Sequence, residues 1–205
     1  MARDLAPIVK RSRRGKTALH PKAVKGLTLR NYAPGQHGQS MMRSKMSQYA
    51  VQLREKQKVK RMYGLLEKQF RRVIAEAERR QGVTGDIMVQ LLEQRLDNAV
   101  YRLNWAISRQ AARQLVTHGH ILLNGKRVDI PSIQLKPGDE LEVRAKSASN
   151  AYFTALKEQL ASNQSTVGWL SSDAKKLKAK VTGAPSREDV TEEINEQLII
   201  EFYSR

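Results

Sequence analysis

The side chains with most to offer chemically are cations at helical spacing. Arg54, Lys58 and Arg61 fall at i, i+4 and i+7, which places them on one face of a helix, and Lys56 and Lys60 widen that face. Glu55 is the only acid among them, so the run reads as a ridge for a polyanion rather than a mixed solvated surface. Lys68, Arg71, Arg72 and Arg79 decorate the outside of the next helical stretch. Further on, Arg109 and Arg113 stand one turn apart. A guanidinium fork matches a phosphate bidentately, although both arginines could instead pair with acids on neighbouring elements. Lys126 and Arg127 sit in a hairpin pattern and have the same two readings. Tyr32-Ala33-Pro34-Gly35-Gln36-His37-Gly38 is turn-rich, and its glycines let backbone amides approach an anion.

Other chemistries find no residues. The chain has no cysteine, which excludes disulfides, a thiol nucleophile and thiolate-bound metal. His118 and His120 lack nearby carboxylates and make a poor metal site; contact with a polyanion or plain packing suits them better. No Gly-rich phosphate loop, nucleophile–base arrangement or carboxylate pair is present, so neither catalysis nor a cofactor is expected. Tyr32, Tyr49 and Trp105 are the aromatics that could stack on bases, unless they are core. With so few, recognition of any nucleic acid should rest on its shape and backbone.

The charge balance points the same way. The 205 residues carry 37 Lys and Arg against 20 Asp and Glu, a formal charge of +17. Residues 1–80 alone hold 21 basic and 5 acidic residues, while the remainder is nearly neutral. A basic N-terminal region on a neutral scaffold is the electrostatic footprint of a nucleic-acid binder. Hydrophobic residues are 40% of the chain and aromatics 5%, enough for a lean core. No apolar run has membrane-spanning length, and the basic N-terminus has no signal-peptide stretch, so no membrane partner and a cytoplasmic location are expected.

Residues 1–45 show no sustained period and read as an irregular basic arm. Two helices follow within residues 46–80, broken near Gly64. Ile87, Leu91, Leu92, Leu96, Val100 and Leu103 form one amphipathic stripe, with Asp86 or Thr84 as N-cap, and Ser108 caps a shorter helix. After His120 the period changes to two. Ile121-Leu122-Leu123, Asn124-Gly125 and Lys126-Arg127-Val128 spell a type I′ hairpin, and strands around Ile133-Gln134-Leu135 and Leu141-Glu142-Val143 complete a small sheet. Helix returns over Ala151–Ala161, a Ser- and Lys-rich stretch follows, and an acidic helix near Asp189–Asn195 precedes the apolar run Leu198–Tyr203.

Arg95-Leu96-Asp97-Asn98, Tyr101-Arg102, Ala112-Arg113-Gln114-Leu115-Val116, His118, His120-Ile121, Asn124-Gly125 and Val128 resemble the RNA-binding module named after the fourth protein of the small ribosomal subunit. Ala33–Gly38, Val51–Val59, Tyr63-Gly64, Ile194–Glu196 and Glu201–Ser204 extend the resemblance to the bacterial family of that protein itself, from Met1-Ala2-Arg3 to the last residues. The resemblance implies a structural constituent of the small subunit. It would bind a five-prime-domain junction of small-subunit ribosomal RNA early in assembly, beside the messenger entry channel and small-subunit proteins three and five, and influence decoding fidelity. Many relatives bind zinc through N-terminal cysteines; this chain resembles the zinc-free type. The segment after Gly38 has only Arg43 and Lys45 where relatives often have more cations, and this pair is the expected messenger-facing one.

The expected fold is mainly α with a small β-sheet. Residues 1–45 form the arm, 46–92 a helical lobe completed by the C-terminal tail, 93–155 the RNA-binding module, and 156–205 a helical, acidic segment packing back on the lobe. The expected rRNA contacts are Arg3, Lys10, Arg13, Arg14, Gln36, His37, Arg54, Lys56, Lys58, Arg61, Arg71, Arg72, Arg109, Arg113, His118, His120, Lys126 and Arg127. Two alternatives share the module: a pseudouridine synthase, whose catalytic motif Arg95-Leu96-Asp97 resembles, and a ribosome-recycling RNA chaperone. The tripeptide lies inside the module's own first helix with no second region to build a site around it. Asp97 therefore reads as structural, a partner of Arg95 or Arg102.

Overall fold

The computed structural model describes residues 6–40, 45–162 and 167–204, arranged as two compact units. The first comprises Met1–Gly85 with Glu192–Arg205, and the second Asp86–Thr191.

In the first unit, the segment expected to be irregular contains two helices, α1 (Ile8–Gly15) and α2 (Pro21–Leu29). Neither is long enough to show a period, and their stability comes from each other. Ser12 is buried and accepts the backbone N–H of Leu19 at 3.3 Å. Gly26 lies so close to Val9 that a Cβ there would come within 2.7 Å of its methyl. Pro21 at the first helical position, after His20 as a side-chain cap, starts α2. Helix α3 (Gln48–Met62) is capped by Ser47 and ends at Tyr63-Gly64, where Gly64 takes a φ of 65°. Then α4 (Glu67–Arg79) buries Phe70, Ile74 and Ala77, the inward stripe of its outwardly cationic face.

The stripe over residues 87–103 is two helices rather than one: α5 (Thr84–Glu93) and α6 (Leu96–Arg102). Between them Arg95 is extended, because the loop at residues 131–135 docks there. Leu96 N–H donates to the Ile133 carbonyl at 2.9 Å, and Leu135 N–H to the Gln94 carbonyl at 2.9 Å. The apolar pattern survives such a break, so it could not reveal one. Ser108 caps α7 (Arg109–Thr117) by accepting the Ala111 N–H, and β1 (Ile121–Leu123) and β2 (Lys126–Val128) form the Asn-Gly hairpin. Asn124 and Gly125 both have positive φ, as that turn requires. Residues 133–135 form only a bridge between Gln134 and Arg95, while β3 (Glu140–Val143) pairs with β1.

Helices α8 (Ala145–Ala148) and α9 (Ala151–Ser162) lead to β4 (Leu170–Asp173) and β5 (Lys178–Val181). This last hairpin was not foreseen. It extends the sheet to five antiparallel strands in the order β2-β1-β3-β5-β4. Its strands carry few buried positions: Ala179 and Val181 face inward, while Lys178 and Lys180 cross to Glu142 and Glu140 on β3. The core of this unit joins Leu96, Val100 and Trp105 to Ile121, Leu141, Phe153, Trp169 and Leu177. The segment expected over 156–205 therefore divides. Its strands belong to the second unit, and only the chain from Glu192 belongs to the first. The acidic stretch Asp189–Asn195 is not helical; Asn195 instead caps α10 (Glu196–Tyr203), which lies on α3 and buries Ile199.

Candidate nucleic-acid interface

In the first unit, α1 sends Lys10, Arg11 and Arg14 into a cleft of about 480 Å³ whose other walls are Arg61 of α3 and Pro34-Gly35. Among the described residues, four cations and no acid line it. Arg11 is not among the rRNA contacts expected from the sequence, although it adjoins Lys10. Arg13, from the opposite side of α1, is turned inward. Its Nε donates to the carbonyls of Arg30 and Tyr32, both at 3.2 Å, and its guanidinium lies 4.9 Å from the Tyr32 ring centre. This side chain holds the loop that supplies the cleft's far wall, rather than facing outward. Gln36 and His37 are exposed at the tip of that loop. The turn depends on Gly38, where a Cβ would collide with the Ala33 carbonyl at 1.9 Å.

The α3 ridge is only partly what its spacing suggests. Arg54 is exposed, as are Arg71 and Arg72 on α4. Lys56, however, is 5% exposed, with Nζ 2.8 Å from Glu67 and 4.6 Å from the Phe202 ring centre. Lys60 reaches the same carboxylate at 2.9 Å. Lys58 pairs with Glu55 at 3.1 Å and donates to the Glu193 carbonyl. Partial burial would raise the Glu67 carboxyl, but hydrogen bonds from Lys56, Lys60 and Tyr203 outweigh it and hold the group at about 2. Lys56 and Lys60 thus bind α3 to α4, and Lys58 ties α3 to the segment before α10. The acid that engages both Lys56 and Lys60, Glu67, comes from α4, which no inspection of the ridge itself could show.

In the second unit, Glu93 and Asp97 are buried among four arginines. Arg102 grips Glu93 with two bonds of 2.8 Å, and Arg95 grips Asp97 with bonds of 3.0 and 2.8 Å. Arg113 reaches Asp97 at 3.1 Å. Arg109 donates to Asn98 at 2.8 Å and stacks over Tyr101 at 4.6 Å. Asp97 therefore has Arg95 and Arg113 as partners, not Arg102. Arg109 and Arg113, expected to face outward, are largely covered, and the network carries two more cations than anions.

The hairpin side is open. His118, Lys126 and Arg127 are exposed, and Arg127 folds over Gly119. Gly119 has a φ of 70°, a conformation that favours glycine, and a Cβ there would come within 2.3 Å of the Arg127 Nε and displace that guanidinium. His120 is half-buried, with Nδ1 2.9 Å from the Ser147 Oγ. Burial first, and then the neighbouring His118, Arg127 and Arg144, push its pKa below 6.5. Asn124 is structural: its amide bridges Asp139 and the Glu140 N–H. Trp105 is core, Tyr32 is covered by Arg13, and Tyr49 is exposed beside Phe202. Lys45 is exposed before the α3 cap, whereas Arg3 and Arg43 lie outside the described residues. Among the described residues no group of three or more His, Asp or Glu is placed to hold a metal.

Comparison with known proteins adds the family context. Residues 4–93 match the ribosomal protein S4/S9 N-terminal domain, and residues 94–141 match the S4 domain, the two meeting at the break between α5 and α6. The chain is 52% identical to small ribosomal subunit protein uS4 of Chlorobaculum tepidum over 206 residues, covering all of both chains. It is 50% identical to the proteins of the same name from Chlorobium limicola and Herpetosiphon aurantiacus, again over the full length of both.

Proposed function

The chain belongs to the uS4 family of small ribosomal subunit proteins, and on that premise we propose that it is a primary rRNA-binding protein that nucleates assembly at a five-prime-domain junction. It is a structural constituent of the small ribosomal subunit and not an enzyme; the ribosome is its place in the cell. The observation that carries the finer reading is the cleft of Lys10, Arg11, Arg14 and Arg61. Four cations lining one concavity concentrate positive potential there, and a folded RNA backbone supplies anions at close spacing. Arg54, Arg71, Arg72, Gln36 and His37 extend the contact in the first unit. His118, His120, Lys126 and Arg127 with the edges of Arg109 and Arg113 supply it in the second.

Beside the messenger entry channel, with small-subunit proteins three and five as neighbours, Arg43 and Lys45 would hold single-stranded backbone weakly and without sequence preference. Such a grip influences fidelity without anchoring the protein. Sucrose-gradient fractionation with crosslinking tests the whole reading. Co-migration with small subunits and crosslinks from the Lys10–Arg14 cleft to one rRNA junction are expected. Crosslinks scattered over many RNAs would defeat it. For the messenger pair, Arg43→Ala with Lys45→Ala should leave assembly intact and slow translation through a hairpin at the entry side.

A further inference from the structure

We propose that His118, His120, Arg127 and Arg144 form a phosphate-binding cluster at which RNA binding is coupled to the uptake of a proton by the His120 ring. The inference rests on the RNA-binding reading above and adds to it Arg144, Ser147 and a linkage to pH.

The cluster is built by the loop between α7 and β1. Gly119 takes a left-handed conformation there, and the Arg127 guanidinium from β2 lies across it. The Arg144 N–H at the end of β3 donates to the His120 carbonyl at 2.9 Å, which brings that residue beside the ring. Two further contacts fix the ring itself. Ser147 of α8 meets Nδ1 at 2.9 Å, and Phe153 of α9 packs edge-on with centroids 5.9 Å apart. His118 lies next to it, with ring centres 6.0 Å apart, and is exposed, as is Arg127. From all these elements the charged and titratable groups that bear on His120 are His118, Arg127 and Arg144, none of them an acid.

An ionised phosphodiester is what such a field selects, since it cancels the repulsion that the folded loop otherwise retains. The same cancellation changes the histidine. In the free chain, burial and the surrounding cations disfavour the imidazolium, so the ring is neutral near neutral pH. A phosphodiester placed among the cations favours the imidazolium, and the ring gains a proton as the complex forms. Phosphodiesters do not titrate in this range, so the proton belongs to the protein. By linkage, affinity is greatest below the free ring's midpoint and falls as pH rises toward the bound midpoint, by up to about tenfold per pH unit for one proton.

The test follows the His120 ring by NMR in the full chain between about pH 5 and 8, at fixed salt, free and bound to a transcript of the five-prime domain of small-subunit rRNA. The midpoint should lie below 6.5 in the free chain and move upward in the complex. Affinity for the transcript should fall with pH across that interval. His120→Gln should flatten the pH dependence of affinity, and Arg144→Gln should weaken binding at every pH. An unmoved midpoint with pH-independent affinity overturns the proton coupling while the salt-dependent RNA binding stands. Failure of the unaltered chain to bind the transcript at any pH overturns the RNA-binding reading and this proposal with it.

Discussion

The ammonium of Lys56 lies 2.8 Å from the carboxylate of Glu67, across a helix break, in a position 5% exposed to solvent. A lysine at a ridge position that should face RNA instead fastens α3 to α4, and Phe202 of α10 covers it at 4.6 Å. The Tyr203 hydroxyl donates to the same carboxylate at 2.7 Å, so three helices converge on one acid.

That convergence has a pH signature. The Glu67 carboxyl is held at about 2 in the folded chain, below its ordinary 4.5. Its contribution to stability is therefore complete above about pH 4.5 and is lost as pH falls toward about 2. Denaturant unfolding of Glu67→Gln, measured across that interval, should show a flatter acid limb than the unaltered chain. Parallel curves would place the acid sensitivity elsewhere.

Removing residues 197–205 takes away Ile199, which is fully buried, together with the rings over Lys56. Burying one such aliphatic side chain is worth about 1.5–3 kcal/mol. The truncated chain should lose at least about 2 kcal/mol in the first unit, read as faster amide exchange in α3 and α4. Exchange unchanged in those helices would show that α10 contributes little to them.

Asp97→Asn leaves Arg95 buried without its bidentate partner and weakens the hold on Arg113. Breaking a buried pair from one side costs about 3–5 kcal/mol. Thermal melting should show a loss of that order. Pseudouridine in total RNA should not change, because the carboxylate holds arginines rather than performing catalysis.

Lys10→Ala with Arg14→Ala should flatten the salt dependence of rRNA binding by about one per lost phosphate contact. Lys58→Ala should leave that slope unchanged, since its ammonium is engaged by Glu55 and the Glu193 carbonyl. Filter binding over a salt series separates the two. Equal flattening would return Lys58 to the RNA face.

The sequence by itself determined what is local or summed. The Asn124-Gly125 turn, the Ser108 cap and the stop at Gly64 follow from spacings within one or two turns of chain. The basic excess in residues 1–80 needs only counting, and it already implied a polyanion. Only the tertiary structure decided which cations remain for that polyanion. Glu67 lies eleven residues from Lys56 and arrives through a turn, and Asp97 meets Arg113 from a neighbouring helix. A charge's partner is set by distance in space, and a pattern of one residue type along the chain carries no record of it. The same reason hid α1, α2 and the β4–β5 hairpin. These elements are too short to show a period, and they persist because Ser12, Gly26 and Ala179 meet surfaces built by other parts of the chain.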